Sequence, residues 1–265
     1  MAIHPTAQVH PTAIVEDGAQ IGPHARIGPY ACIGPDVSLA EGVVVKAHAV
    51  ITGWTEIGAG TEVFSFACVG EIPQDLKFAG ERSRLVIGAR CRIREGATLN
   101  TGTEGGGGVT SVGDECLFMT GAHVGHDARL GNRVIMANQA AVAGHCVIGD
   151  DVIIGGLSGV HQFVRVGRGA IIGAVTMVTN DVMPHGLVQA PRGELEGLNL
   201  VGLKRRGVDR AEITALRAAY QMLAQGDGTF LDRTRRLAEE SESAHVHEIT
   251  DFILAASDRS FLIPK

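Results

Sequence analysis

An apolar, mostly aliphatic residue recurs every six positions through most of this chain, and no other feature of the sequence restricts its fold as much. The series runs over positions 3 to 69, returns over 87 to 99, and resumes one position out of phase over 112 to 178. An amphipathic helix needs an apolar spacing of about 3.6 residues, and a half-buried strand needs a spacing of about two. Neither forms a continuous element with this period, whereas a coil with three short flat faces per turn satisfies it.

In such a coil each apolar side chain points inward, and three faces take about 18 residues, so stacked turns form parallel sheets about 4.8 Å apart. The chain holds 36 glycines and only 4% aromatic residues, which suits thin, closely stacked layers with glycine at the corners. We therefore predict a mainly β fold over residues 1–190, a left-handed parallel β-helix of hexapeptide repeats. An inert scaffold or an ice-binding surface is the alternative use of so regular an array.

Two interruptions of the repeat, at about 70–86 and 100–111, favour a functional surface over an inert array. The first contains EIPQDLKFAGERSR and the second contains TGTEGGGG. A loop that projects from a solenoid costs the stack little, and solenoids place such loops on the working face. Both segments are predicted to form walls of an active site.

After position 190 the six-residue period stops, and residues 191–265 are predicted to form a small C-terminal α-helical domain that covers the end of the β-helix. Asp209 and Glu212 have the spacing of a capping box at a helix start. Apolar residues follow that start at helical spacing, namely Ile213, Leu216, Tyr220 and Leu223. Two further helices are predicted over 230–237 and 246–253.

Charge, cysteine content and apolar run length limit the possible classes of protein. The formal net charge of −6 gives no overall attraction to nucleic acid or to an anionic membrane. No apolar run approaches the roughly 20 residues of a membrane span, and the N-terminal sequence has no basic start followed by an apolar stretch. The odd number of cysteines and the lack of a C-x-x-C pair favour buried reduced thiols; they are Cys32, Cys68, Cys91, Cys116 and Cys146. We expect a cytoplasmic protein.

Residues one turn apart lie above one another, and this register gathers histidines from distant segments. His126, Gly144 and Gln162 fall in one column, and Asp127 and His145 fall in the next. His123 and His161 belong to the same ridge. Clustered imidazoles serve as general bases or metal ligands, and a carboxylate beside an imidazole fixes its tautomer.

The sequence lacks the motifs of several other catalytic mechanisms, and this favours catalysis by a general base. It has no Gly-x-Ser-x-Gly elbow, Walker loop or dinucleotide fingerprint, and the TEGGGG run has no following Lys-Ser or Lys-Thr. Covalent serine catalysis and phosphoryl transfer therefore lose support, and a base-assisted direct attack by a substrate hydroxyl remains. No cofactor and no metal are predicted.

Several motifs together resemble one family, the bacterial UDP-N-acetylglucosamine 3-O-acyltransferases, which take the acyl group from acyl carrier protein in the first step of lipid A synthesis. They are VGEIPQDLKFAGE, GAHVGHD, GNRVIMAN, AGH, HQF and GLNLVGLKRRG. The likeness covers essentially the whole chain. QDLKFAGE and GLKRRG are more specific than the hexapeptides, which many acetyltransferases share.

This resemblance implies a role for each matching residue. His126 is the general base, Asp127 orients it, and the amide of Gly144 stabilises the oxyanion. The residues implied in substrate binding are Gln74, Asp75, Lys77, His123, His145, His161 and Gln162, with Asn199, Arg205 and Arg206 reaching the nucleotide from a neighbouring subunit of a homotrimer. Ala174 is implied at the floor of the groove for the acyl chain.

The chain departs from the family where Val201 stands at an expected acidic position, which leaves base selectivity undecided. The sequence also leaves open whether the acceptor is a 3-hydroxyl or a 3-amino group. A γ-type carbonic anhydrase that binds zinc through His123, His126 and His145 is the strongest rival function. The repeat is also compatible with a coenzyme-A-dependent acetyltransferase and with a non-enzymatic trimeric scaffold.

Overall fold

Each apolar residue of the six-residue series lies in a short strand of its own in the computed structural model, which describes residues 2–189, 193–257 and 259–264. The strands follow a left-handed parallel β-helix with three strands to a coil, so the predicted fold class is confirmed. Strands of the four N-terminal coils are β1 Ala2–Ile3, β2 Gln8–Val9, β3 Ile14–Val15, β4 Gln20–Ile21, β5 Arg26–Ile27, β6 Cys32–Ile33, β7 Ser38–Leu39, β8 Val44–Val45, β9 Val50–Ile51, β10 Trp54–Ile57, β11 Glu62–Val63 and β12 Cys68–Glu71.

Five further coils continue the same winding. Their strands are β13 Arg84–Ile87, β14 Arg92–Ile93, β15 Thr98–Asn100, β16 Val109–Val112, β17 Leu117–Phe118, β18 His123–Val124, β19 Arg129–Leu130, β20 Ile135–Met136, β21 Ala141–Val142, β22 Val147–Ile148, β23 Ile153–Ile154, β24 Gly159–Val160, β25 Arg165–Val166, β26 Ile171–Ile172 and β27 Met177–Val178.

Every third strand pairs in parallel, which produces three flat sheets. We call the sheet that starts with β1 sheet A, the one that starts with β2 sheet B and the one that starts with β3 sheet C. The register is in step, because His123 pairs with Ala141 and Ala141 pairs with Gly159. The chain turns at three corners, which we name A–B, B–C and C–A after the sheets that they join.

The core explains why the repeat tolerates so few aromatic residues. Besides the apolar residue of the series, the residue two positions before it also points inward and is small, as Ala25 is before Ile27 and Ala128 is before Leu130. Cys91, Cys116 and Cys146 occupy such inward positions, and all five cysteines are free thiols. Alternating small and branched side chains fill a narrow triangular interior without voids.

Both interruptions of the repeat form loops at the same corner, C–A, on successive coils. The first loop joins β12 to β13, and the second joins β15 to β16 and contains one turn of 3-10 helix at Glu104–Gly106. The loops are hydrogen-bonded together, since the Thr101 amide donates to the Glu71 carbonyl over 3.0 Å and the Ser83 hydroxyl donates to the Thr101 hydroxyl over 3.0 Å. They therefore make one wall beside the coil.

The C-terminal part begins with strands rather than with helices. Strand β28 Gly186–Gln189 adds to β26, and β29 Glu194–Leu198 pairs with it in antiparallel fashion. The predicted helices follow this hairpin, which the sequence analysis did not predict and which pairs with the edge of sheet B. The predicted boundary at 190/191 lies outside the described residues, and the division into two domains stays a prediction.

Four helices complete the described chain: α1 Leu200–Arg205, α2 Arg210–Gln225, α3 Phe230–Glu240 and α4 Ala244–Leu254. The helices predicted over 230–237 and 246–253 are confirmed, with longer bounds. No helix in the described part of the chain is long and apolar enough to cross a bilayer.

The predicted capping box at Asp209 and Glu212 does not form. Asp209 is the N-cap residue of α2, but its side chain makes no capping hydrogen bond. The Glu212 carboxylate instead accepts from the Ser243 hydroxyl over 2.6 Å and lies 2.8 Å from Nδ1 of His245, which ties α2 to the start of α4. A complete capping box occurs one helix later, where Thr229 and Asp232 satisfy each other's backbone amides.

Candidate active site

His126 and Asp127 form a buried pair at the C–A corner, where β18 turns towards β19. Nδ1 of His126 lies 2.8 Å from Oδ2 of Asp127. The Thr103 amide donates to Oδ1 over 2.8 Å, and the Thr103 hydroxyl donates to Oδ2 over 2.6 Å. A carboxylate accepts hydrogen bonds and does not donate them. In the neutral imidazole of His126, Nδ1 therefore carries the proton and Nε2 keeps a lone pair.

The turn that carries this pair is held by the backbone and by the neighbouring coils. Asp127 has a φ of +59°, which is the left-handed region that Asp tolerates better than most residues. Its amide donates to the hydroxyl of Thr110 over 2.7 Å, and the His126 carbonyl accepts from the His145 amide over 2.9 Å. The neighbouring coils thus hold the pair on both sides.

Gly144 lies directly against the His126 ring. A Cβ atom at Gly144 would stand 2.6 Å from Nε2 of His126, so only glycine fits. Among the described residues its amide donates to no protein acceptor, and Gly144 lines the same cavity as His126. An unpaired amide beside a basic ring nitrogen is the arrangement that stabilises an oxyanion next to a general base.

Two cavities flank the histidine ridge. The first, of about 380 Å³, is lined by Gln74, Asn100, His123, Gly125, His126, Ala141, Ala143, Gly144, Gly159, Val160, His161, Gln162 and Met177. The second, of about 410 Å³, is lined by Asp75, Lys77, Phe78, Ala79, Glu81, Thr103, Glu104, Gly105, His145 and Phe163. Most residues that the sequence predicts for the site therefore meet here, brought together by the register and by the first loop.

Neutral imidazoles border both cavities. Burial lowers the pKa of His123, whose Nδ1 lies 2.8 Å from the Thr98 hydroxyl. Burial also lowers the pKa of His145, and the Asp127 carboxylate opposes that shift in part. The His145 ring stacks on Phe163 with centroids 4.5 Å apart. Both rings therefore offer hydrogen bonds to a ligand rather than charge.

Arg259, from the C-terminal segment, contacts two residues that line the first cavity. Nη2 of Arg259 lies 3.2 Å from Nδ1 of His161 and donates to the Gln162 carbonyl over 3.0 Å. The Asn100 amide nitrogen donates to the Ile72 carbonyl over 2.8 Å, whereas its buried Oδ1 has no hydrogen-bond partner in the described part of the chain. Asn100 is also one of the residues that line the first cavity.

Four predicted site residues lie at other corners of the same chain. Asn199 caps α1 at the A–B corner, accepting from the Gly202 amide and donating to the Gly169 carbonyl, both over 2.9 Å. Arg205 and Arg206 end the same helix region, and Arg205 is exposed. Ala174 is exposed at the B–C corner. A single chain does not bring these four to His126.

Five residues that contact the predicted site were missed by the sequence analysis: Thr98, Thr103, Thr110, Phe163 and Arg259. For Thr103 a signal existed, because the glycine run that follows it indicates close backbone approach. The others depend on the register of the coils and on the return of the C-terminal segment. Phe163 ends the HQF motif, whereas no local motif marks Thr98, Thr110 or Arg259.

One group has the spacing of metal ligands among the residues that the structure describes, and it consists of His126, Asp127 and His145. It differs from the zinc-binding set predicted for a carbonic anhydrase, since His123 bonds Thr98 instead. Asp127 is already engaged by Thr103, so its oxygens are committed to hydrogen bonds. This geometry favours proton transfer over metal binding.

Comparison with known proteins agrees with this chemistry. The family model described as Udp N-acetylglucosamine O-acyltransferase, Domain 2, matches residues 181–262, and the bacterial transferase hexapeptide model matches residues 18–53. The acyl-[acyl-carrier-protein]–UDP-N-acetylglucosamine O-acyltransferase of Paracoccus denitrificans is 68% identical over 203 residues, which are 76% of this chain and 77% of that protein. The protein of the same name from Rhizobium johnstonii is 48% identical and covers 84% of this chain and 82% of its own length.

Solved structures give the same result. The UDP-N-acetylglucosamine acyltransferase from Campylobacter jejuni matches with a TM-score of 0.91 and 38% identity. The match covers 97% of this chain and 100% of the Campylobacter chain. The Arabidopsis enzyme matches with a TM-score of 0.81 and 31% identity over 98% of this chain and 99% of its own.

The coil, its loops and the histidine–aspartate pair define an acyltransferase of the hexapeptide-repeat, left-handed β-helix class. Within that class, the chain belongs to the acyl-[acyl-carrier-protein]–UDP-N-acetylglucosamine O-acyltransferase family. The family and the enzyme class predicted from the sequence are thereby confirmed.

Proposed function

We propose that this chain transfers a (3-hydroxy)acyl group from acyl carrier protein to the 3-hydroxyl of UDP-N-acetylglucosamine, the first step of lipid A biosynthesis, with His126 as the general base. The observation that carries the proposal is the buried His126–Asp127 pair, whose free Nε2 faces a cavity beside the unpaired Gly144 amide. The names of the most similar relatives support the choice of both substrates.

In the proposed reaction, Nε2 of His126 takes the proton of the sugar hydroxyl while the hydroxyl oxygen attacks the thioester carbonyl. The Gly144 amide donates to the oxyanion that forms. The carbon–sulfur bond then breaks, and the departing sulfur of the carrier takes the proton from His126. Asp127 stabilises the imidazolium between these two steps.

The two cavities support a division of binding roles. Gln74, His123, His161 and Gln162 surround the space in front of Nε2, and this part of the site is proposed to hold the sugar. Asp75 and Lys77 face His145 across the second cavity and are proposed to hold the polar groups that continue from it.

A homotrimer completes the site in this proposal. The outer face of sheet B changes from mostly polar in the N-terminal coils to an unbroken apolar ladder, which consists of Leu117, Ile135, Ile153, Ile171 and Leu187. A contiguous apolar face of this length supports burial against another copy of the chain. Asn199, Arg205 and Arg206 then reach the nucleotide from the neighbouring subunit, and Ala174 lies beside the acyl groove.

The proposal includes a cytoplasmic location, where acyl carrier protein meets the enzyme. The five cysteines are free thiols, which supports a reducing compartment such as the cytoplasm.

The test is a product analysis with purified protein. UDP-N-acetylglucosamine is incubated with a mixture of acyl carrier protein thioesters of different lengths, and the products are identified by mass spectrometry and by fragmentation of the sugar. We expect a single acyl group on O3 and no product from acetyl-coenzyme A. Transfer from acetyl-coenzyme A alone, or activity that requires added zinc, would refute the proposal.

A further inference from the structure

Charged residues on successive coils form a column along the A–B corner, and the next position in that column is a glycine. Arg90 bonds Glu115 through two nitrogens over 3.0 and 2.9 Å, and Arg133 bonds Asp151 over 2.8 and 3.1 Å. These residues have φ values of 55° to 59°. Gly169 continues the column with a φ of +68°. Since four non-glycine residues accept this backbone conformation, φ alone does not explain the glycine.

The space at Gly169 is taken by another part of the chain. A Cβ atom there would stand 2.6 Å from Nη2 of Arg206 and 2.7 Å from Nδ1 of His185. The guanidinium of Arg206, which comes from the end of α1, therefore fills the position that a side chain would occupy. Glycine at 169 makes room for it.

His185 holds this guanidinium from behind. Its ring is fully buried, Nδ1 lies 3.2 Å from Nη2 of Arg206, and Nε2 lies 2.9 Å from Oε2 of Glu248. Arginine only donates and a carboxylate only accepts, so this order requires a neutral ring with its proton on Nε2. Glu248 is itself fixed by two bonds from Arg168, over 2.6 and 2.7 Å.

We propose that His185 is a positioning residue for Arg206, orienting its guanidinium on Gly169 so that it meets the phosphates of a nucleotide sugar bound to the neighbouring subunit. This inference rests on the proposed function, in which Arg206 contacts the nucleotide. A guanidinium held in place before binding loses less conformational freedom when it pairs with phosphate. Lys204 and Arg205 are exposed, so Arg206 is the member of this basic run that the fold orients.

The first test compares two substitutions at position 185. His185→Gln keeps one acceptor for Arg206 and one donor for Glu248, whereas His185→Leu removes both. We expect His185→Leu to raise KM for UDP-N-acetylglucosamine about tenfold, the scale of one hydrogen bond to a charged group, with kcat and KM for the acyl carrier substrate unchanged. His185→Gln should stay within about twofold of wild type. An equal KM in both variants and the wild type overturns the positioning role.

The second test leaves the residue at position 185 unchanged. Gly169→Ala should displace the guanidinium from His185 and raise the same KM, because a Cβ there meets both Nη2 of Arg206 and Nδ1 of His185. Gly60→Ala is the matched control, since Gly60 has a φ of +67° in the same column and its Cβ would meet only Arg90 Cγ at 3.6 Å. Similar KM values for both alanine variants contradict the proposal.

A double-mutant cycle separates this inference from the function on which it rests. In an Arg206→Ala background, His185→Leu should raise KM no further, because the group that it positions is gone. Additive effects, or an Arg206→Ala variant with the wild-type KM, overturn the positioning role while leaving acylation itself intact. If the wild-type protein does not acylate UDP-N-acetylglucosamine at all, the proposed function fails instead.

Discussion

At the scale of single residues, the proposed role of His126 as a general base depends on the side chains that hold its ring. Asp127 faces Nδ1 of the imidazole, and both of its oxygens also accept from Thr103. The aspartate therefore has one orientation, and it fixes the tautomer that leaves Nε2 basic.

Substitution of Thr103 tests this arrangement. Thr103→Val removes the 2.6 Å bond to Asp127 but keeps the shape of the side chain, and we expect kcat to fall about tenfold with little change in KM. Thr103→Ser keeps the hydroxyl and should retain near wild-type kcat. Steady-state kinetics on the three proteins measure this. Equal kcat values for the valine and serine variants would show that the bond does not matter.

Acid stability reports on His185. Burial lowers the pKa of His185 from its ordinary value of 6.5. Below pH 6.5 the histidine is therefore protonated in the unfolded chain but stays neutral in the folded chain until the pH reaches the lowered pKa. Its contribution to stability is full above pH 6.5 and is lost as pH falls towards the lowered pKa. His185→Gln lacks this titration. Melting temperatures from pH 7.5 down to about pH 5 should therefore fall more steeply for wild type than for His185→Gln, and parallel curves would contradict the assignment.

At the scale of elements, the second loop packs against the proposed catalytic pair, His126 and Asp127. Gly106, in its 3-10 turn, lies so close to the Asp127 carboxylate that a Cβ atom would overlap it. Gly105, the preceding residue, has no atom within 4 Å of an added Cβ. Neighbouring glycines of one loop thus have different functions.

This difference gives a matched pair of variants. Gly106→Ala should push the loop away from Asp127 and lower kcat at least about tenfold, since misplacement of the pair weakens general-base catalysis. Gly105→Ala should leave kcat near the wild-type value. Circular dichroism of both proteins checks that the coil is intact. Similar kcat values for the two variants would contradict a role of this loop in positioning Asp127.

The period of six is enough to predict the strands and the columns, because an error of one residue would turn every apolar side chain outward. It therefore places His126 beside Gly144 and Asp127 beside His145 from the sequence alone. Thr103 lies in an insertion, where the repeat no longer fixes the register, so the glycine run could indicate close backbone approach but not the bond from Thr103 to Asp127.

The chain end was less predictable for a related reason. Strand β29 lies in a segment without the hexapeptide period, and its partner β28 is set by the edge that β26 leaves. Arg259 reaches the site only after the helices return to the coil. No local sequence pattern indicates such long-range contacts.

At the scale of the whole molecule, the apolar ladder on sheet B is the interface of the proposed homotrimer. Ile153 lies at its middle, and Ile153→Glu should break the proposed homotrimer because a charge would be buried there without a partner. Val44→Glu, on the same face outside the ladder, should leave the assembly unchanged. Light scattering after size-exclusion chromatography measures the mass. A wild-type monomer, or an Ile153→Glu trimer, would refute the proposed interface.

General-base catalysis by His126 is tested most directly by kcat of His126→Ala for the acylation of UDP-N-acetylglucosamine. The control is His10→Ala, which removes an exposed histidine of the N-terminal coils. A general base contributes at least about 100-fold, so His126→Ala should keep the fold and the melting temperature of wild type and lose at least that factor in kcat. His10→Ala should keep full activity. A folded His126→Ala variant with kcat within about twofold of wild type would contradict proton abstraction by this residue.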